Sequence, residues 1–180
     1  METVKEKQNT IFDSIKERFG YKNKMQSPRI TKVVISSAVG SVKDKKKIEL
    51  IADRIALITG QKPAEKKAKK SIAAFKVREG DLSGYQVTLR GARMHTFLDK
   101  LIHIALPRTR DFRGLKSSAI DEMGNFTIGI KEHTVFPETA DEDLKDVFGI
   151  AVTIVTTAKT KEEAEALLRG IGMPLREEEK

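Results

Sequence analysis

Apolar residues near the start of the chain recur at helical spacing. Val4, Ile11, Phe12, Ile15 and Phe19 fall on one face of a 3.6-residue turn. Thr3 and Glu6 have capping-box spacing and Gly20 offers a stop, which predicts a helix between them. Ile30 to Ser36 is β-branched and reads as a strand. Ile48, Ile51, Ile55 and Ile58 then mark one face of a second helix, closed by Gly60 and Pro63. Gly84 to Arg90 alternates: Tyr85, Val87 and Leu89 point one way, and Gln86, Thr88 and Arg90 the other. Met94, Phe97, Leu98, Leu101 and Ala105 predict a helix stopped by Pro107. Phe126, Ile128 and Ile130 alternate in another strand, and Ile150 to Thr157 is a strongly β-branched one. Thr160 and Glu163 repeat the capping-box spacing before Ala164, Leu167, Leu168 and Ile171, with Gly172 and Pro174 ending that helix. Strands and helices interleave over residues 1–180 without linker or repeat. The pattern is α+β in one domain, with helices on one face of a sheet.

Between Lys62 and Arg78 the pattern breaks down. Lys62, Lys66, Lys67, Lys69, Lys70, Lys76 and Arg78 stand there with Glu65 as the only acid, and Ile72 and Phe75 are the larger apolar residues. Such a segment is too polar for a core element and reads as a long basic loop or hairpin.

Charge sharpens this. The chain carries 34 Lys+Arg against 26 Asp+Glu, a formal net charge of +8. The excess is uneven: residues 1–116 hold 27 basic and 12 acidic side chains, and residues 117–180 hold 7 and 14. The split points to a polyanion-binding part and an acidic part that faces something else. Cysteine is absent, which excludes disulfides and thiolate metal sites. The N-terminus lacks the apolar core of a signal peptide, and no apolar run approaches the ~20 residues that span a bilayer. The expectation is a soluble, cytoplasmic protein with no membrane partner.

Three segments are candidates for nucleic-acid contact. The first is the basic segment 62–78, where Phe75 in polar surroundings could stack on a base. A solvated lysine surface is the rival reading, weakened by the near absence of interleaved acids. The second is the strand face Gln86, Thr88 and Arg90, whose donors and acceptors stand at fixed spacing. The third is Arg108-Thr109-Arg110-Asp111-Phe112-Arg113-Gly114, three arginines around one aromatic, suited to a phosphate-rich groove or to local ion pairs.

Catalytic signals are thin. His95, Asp99 and His103 are spaced for one helical stripe, but a metal site needs further ligands, and a solvated helix face is the simpler reading. Glu138, Asp141, Glu142, Asp143 and Asp146 lack the spacing and mid-loop glycine of a calcium loop. Gly60 to Ser71 lacks the second glycine of a phosphate loop. No catalytic residue, metal site or cofactor is assigned, and no enzyme is expected.

Ordered motifs carry the reading further. Pro28-Arg29-Ile30, Ile58-Thr59-Gly60-Gln61-Lys62-Pro63, Ala68-Lys69-Lys70-Ser71-Ile72-Ala73 and Val87-Thr88-Leu89-Arg90-Gly91 come first. Ile104-Ala105-Leu106-Pro107-Arg108, Arg110-Asp111-Phe112-Arg113-Gly114, Gly124-Asn125-Phe126, Phe136-Pro137-Glu138 and Val155-Thr156-Thr157-Ala158 follow. From about Met25 to Pro174 the chain resembles the bacterial-type large-subunit ribosomal protein number five family. The resemblance implies a roughly five-stranded antiparallel sheet backed by helices, with an exposed face that binds 5S ribosomal RNA in the central protuberance. It implies contacts at Gln61 and Thr88. It also implies one at Ser36, where the family has Asn before a Gly-Val-Gly loop and this chain reads Ser36-Ser37-Ala38-Val39-Gly40. Lys62, Arg90, Arg108, Arg110 and Arg113 complete the expected ribosomal RNA contacts.

Lys66, Lys67, Lys69, Lys70, Phe75, Lys76 and Arg78, in a loop near residues 66–84, are expected to reach P-site tRNA. The implied partners also include 23S ribosomal RNA, other central-protuberance proteins and a small-subunit protein at an intersubunit bridge. The rival readings are an RNA-binding module acting outside the ribosome and a small metal-dependent hydrolase using His95, Asp99 and His103.

Overall fold

The structure, a computed structural model, describes residues 2–42, 44–140 and 146–176. Helix α1 spans Val4–Phe19. The Thr3 hydroxyl accepts Glu6 N–H and the Glu6 carboxylate accepts Thr3 N–H, so both halves of the capping box form. Gly20 closes the helix in the left-handed region at φ 67°. Helix α2, Lys45–Thr59, starts at Asp44, whose side chain accepts Lys46 N–H at 2.9 Å.

Helix α3, Gly91–Lys100, corrects one expectation. Pro107 does not stop it. The run continues through a π-helical stretch, Leu101–Ala105, into a last turn α4, Leu106–Arg108. In that stretch Leu106 N–H reaches back five residues to Leu101 O. Proline in an α-helix interior lacks a donor and clashes with the carbonyl four residues back. The widened turn relieves that conflict, and Leu101, Ile102, Ala105 and Leu106 stay buried across it. The last helix, α5, spans Lys161–Gly170, ending two residues before Gly172. Its capping box is half formed. Thr160 accepts Glu163 N–H, but Glu163 Oε2 accepts from Lys159 N at 2.8 Å rather than from Thr160.

Five strands, β1 (Ile30–Ala38), β2 (Ala64–Lys67), β3 (Leu82–Leu89), β4 (Phe126–Ile130) and β5 (Ile150–Thr156), form one open antiparallel sheet in the order β2-β3-β1-β5-β4. One sheet face is buried, through Val33, Ile35, Val87, Leu89, Phe126, Ile128, Val152 and Ile154. The alternating residues of β1, β3, β4 and β5 are half or fully exposed, as period-two strands require, except Gly84, which is buried against β1. In β1 the inward phase shifts by one residue between Ile30 and Val33. β2 is the strand that periodicity did not reveal: all four of its residues are exposed.

The chain forms two compact units. The first comprises Met1–Val33, Arg90–Ile128 and Thr153–Lys180, and the second Val34–Leu89 and Gly129–Val152. In the first, α1 packs against α3 and α5, and Asp99 Oδ1 accepts Val4 N–H at 2.8 Å, tying α3 to the start of α1. In the second, α2 packs on β3 and on the short turn Pro137–Thr139. That unit also buries His133, stacked on Phe148 with ring centroids 4.0 Å apart.

Candidate nucleic-acid interface

Of the two readings, loop or hairpin, the basic segment takes the hairpin. β2 pairs with β3 in the register Ala64–Gln86, Glu65–Tyr85, Lys66–Gly84 and Lys67–Leu82, so Lys66 and Lys67 are strand residues. Beyond them, Ala68 N–H bonds Asp81 O at 2.8 Å and Gly80 N–H bonds Ala68 O at 3.0 Å. Ile72 and Val77 pair across the tip, around a single 3₁₀ turn Ala73–Phe75. Ser71 Oγ accepts Glu79 N–H, and Asp81 Oδ2 accepts Arg78 N–H. Lys66, Lys67, Lys69, Lys70, Lys76 and Arg78 are exposed. Phe75 is 75% exposed and Ile72 47% exposed. Ile72, noted in the sequence as apolar but not counted among the contact residues, stands beside Phe75 at this tip.

The sheet-face residues of the second unit come together. Val39 N–H bonds Ser83 O at 3.0 Å. Counting antiparallel from that pair sets Gln86 beside Ser36 and Thr88 beside Val34. The strands are tightly apposed here, for a Cβ on Gly84 would stand 2.6 Å from Ser37 O. Ser36, Gln86 and Thr88 are half-buried on the open face, and among the described residues no partner bonds their side chains. Several other hydroxyls of the sheet are satisfied internally. Ser37 Oγ bonds Gly149 O at 2.8 Å, Thr31 Oγ1 bonds Val155 O at 3.0 Å, and Thr127 and Thr153 bond each other at 3.1 Å.

Gln61 follows the C-terminus of α2, where Gly60 takes φ 67°. The Thr59 hydroxyl donates to Ile55 O at 2.7 Å and accepts Gln61 N–H at 3.3 Å, which fixes the turn. Gln61 is half-buried and Lys62 exposed.

Arg90, Arg108, Arg110 and Arg113 belong to the first unit, and all four are exposed. The loop after α4 is pinned to the C-terminal segment. Leu115 N–H bonds Pro174 O, Arg176 N–H bonds Leu115 O, and Arg176 Nε donates to Arg113 O at 2.6 Å. Arg176 was not foreseen, because its partner lies 63 residues away.

The helical stripe of His95, Asp99 and His103 does not make a common site. Asp99 is engaged by Val4 N–H, and the π-helical stretch begins between Asp99 and His103. Burial and the nearby Lys5 push His95 below its ordinary value, with Asp99 opposing. No group of three or more His, Cys, Asp or Glu side chains converges among the described residues, and Asp141, Glu142 and Asp143 lie outside them.

A basic α+β chain with an uncovered hydrogen-bonding sheet face and a cationic hairpin has the make-up of an RNA-binding ribosomal protein. Residues 23–78 match the family model described as ribosomal protein L5, and residues 83–175 match the model for the C-terminus of the same ribosomal family. The chain is 50% identical over 167 residues to the large ribosomal subunit protein uL5 of Ureaplasma urealyticum serovar 10, covering 92% of this chain and 91% of that protein. It is 47% identical to the protein of the same name from Streptococcus pyogenes serotype M5, over 92% and 93% of the two chains. The chain belongs to the ribosomal protein L5 family.

Proposed function

We propose that the chain binds 5S ribosomal RNA through the open sheet face of its second unit and contacts P-site tRNA through its basic hairpin. As a member of the L5 family it is a structural constituent of the large ribosomal subunit in the cytoplasm, and not an enzyme. In this reading residues 1–180 serve as one ribosomal-protein domain. Ser36, Gln61 and Thr88 hydrogen-bond the 5S RNA. Lys62, Arg90, Arg108, Arg110 and Arg113 hold ribosomal RNA phosphates, in 5S or 23S RNA. Lys66, Lys67, Lys69, Lys70, Phe75, Lys76 and Arg78 face the tRNA. The chain also meets other central-protuberance proteins, and its acidic C-terminal third suits a basic small-subunit protein at an intersubunit bridge.

One observation carries the reading. Ser36 and Thr88, 52 positions apart in sequence, lie on neighbouring strands of one uncovered face with their side chains unengaged. The test is binding to 5S RNA against an unrelated RNA of similar length across a salt series. A 5S preference that persists as salt rises supports the reading. Equal affinities that fall together would reduce the chain to a non-specific polycation.

A further inference from the structure

A local acidic cluster interrupts the basic part of the chain. Glu65 pairs directly with Tyr85 across β2 and β3, so both side chains stand on the same side of the sheet. That is the side α2 covers, for Tyr85 is buried with Val87 and Leu89, and α2 packs on β3. Lys66, the next residue of β2, pairs with Gly84 and takes the open side. On α2, Glu49, Asp53 and Leu57 follow at four-residue spacing and make one exposed stripe.

Tyr85 joins the strand and the helix at this cluster. The residue is only 7% exposed. Burial, and then the Glu65, Glu49 and Asp53 carboxylates, push its hydroxyl above the ordinary range, so all three lie within electrostatic reach of that oxygen. None of them bonds it. Among the described residues the Tyr85 hydroxyl has no hydrogen-bond partner, and the three carboxylates have no ion pair, even with Lys46 one turn before Glu49.

We propose that Glu49, Asp53 and Glu65, gathered around the Tyr85 hydroxyl, dock a basic side chain of a neighbouring protein, whose apolar flank rests on Leu57. Three like charges around one phenol repel one another, and a cation set among them relieves that repulsion. The carboxylates and the phenol oxygen together offer acceptors to a guanidinium or ammonium group. A bare metal ion fits less well, because among the described residues no three acidic or histidine side chains converge as metal ligands would. Leu57, 54% exposed and one turn beyond Asp53, favours a protein over a small cation. A hydrated ion gains nothing from an apolar neighbour, whereas a basic side chain on a protein brings its own aliphatic stem and apolar neighbours. The site is on the opposite side of the sheet from Thr88, so its occupation does not depend on RNA.

The experiment uses the full chain with Tyr21→Phe. This leaves Tyr85 as the lone tyrosine in a protein without tryptophan, so its fluorescence reports the cluster directly. The probes are a short peptide alternating arginine and leucine, the same peptide with serine for leucine, spermidine, and magnesium chloride. The arginine–leucine peptide should give a saturable change in Tyr85 fluorescence at concentrations where spermidine and magnesium give none. Joint Asp53→Asn and Glu65→Gln replacement should weaken it by about tenfold. Leu57→Ser should remove the advantage of leucine over serine in the peptide. The urea midpoint of the doubly substituted chain should stay level or rise, since like charges are removed. A fall in stability alongside lost binding would make these carboxylates structural and overturn the assignment. Equal binding of spermidine or magnesium would give the cluster to small cations instead of a protein. A peptide that binds the doubly substituted chain as tightly as its parent would end the proposal.

Discussion

Gly84 sets how closely β3 approaches β1, and a methyl group there should be felt throughout the second unit. An added Cβ would lie 2.6 Å from Ser37 O and 3.4 Å from Ala38 Cα, where ordinary contacts begin near 3.4 Å. The obstacle is backbone, so it cannot rotate away. The strands must part by several tenths of an ångström beside the bonds from Val39 and Gly40 N–H to Ser83 O. Forced shifts of this kind cost roughly 1–3 kcal/mol. Alanine recovers about 0.4–1 kcal/mol by restricting the unfolded chain. Gly84→Ala should therefore lose about 1–2 kcal/mol, moving the urea midpoint down by roughly 0.5–1 M with little change in slope. Gly129→Ala is the control: it has no neighbour within 4 Å and no positive φ, so it should be neutral or slightly stabilising. The comparison is made by far-UV circular dichroism in urea. A Gly84→Ala protein as stable as Gly129→Ala would refute the account of this close approach.

Acid should weaken the second unit through His133. Its Nδ1 accepts Phe148 N–H at 3.3 Å, and burial holds its pKa below the ordinary 6.5, so the ring is neutral when folded. The unfolded chain takes up the proton first, so this contribution is complete above about pH 6.5 and is lost as pH falls toward the lower folded value. Urea midpoints between pH 7.5 and 5 should fall more steeply for wild type than for His133→Leu, and parallel profiles would discount the histidine. Thr3→Ala removes one half of the α1 capping box and should cost about 1 kcal/mol in the same assay; no change would mean the helix start is held by Asp99 alone. Replacing Lys66, Lys67, Lys69 and Lys70 with Gln should leave the circular dichroism spectrum intact and weaken P-site tRNA retention on assembled ribosomes, with a shallower salt dependence. Lost 5S binding with unchanged tRNA retention would assign the hairpin to the other RNA.

The helices were largely legible because their signals are local. Thr3 with Glu6 and Gly20, or Ile51, Ile55 and Ile58 before Gly60, act within one or two turns of each other. Strands β4 and β5 were legible from strict alternation against a buried face. β2 was not, because its Ala-Glu-Lys-Lys sequence has no apolar side to bury and its strand state comes from pairing with β3. The continuation of α3 past Pro107 was hidden for a similar reason. A proline reads as a stop, but here the widened turn before it accommodates the ring, and Leu101, Ile102, Ala105 and Leu106 stay buried through that turn. The candidate site divides in the same way. Thr88 and Arg90 follow from one alternating strand, and the lysines from composition. The pairing of Ser36 with Gln86 and the anchoring of the Arg113 loop by Arg176 are tertiary, so no window of sequence contains them.

The central claim is that the open sheet face meets 5S RNA, and the absence of cysteine makes it directly measurable. A single thiol can be introduced on the open face with Ala38→Cys, at the hairpin tip with Ala74→Cys, or on exposed α2 with Leu57→Cys. Each variant is tethered to an iron chelate and incorporated into large subunits carrying P-site tRNA. Hydroxyl-radical cleavage then reports which RNA lies beside each position. The account predicts 5S cleavage from position 38, tRNA cleavage from position 74, and weak or no 5S cleavage from position 57. Strong 5S cleavage from position 57 with none from position 38 would contradict it.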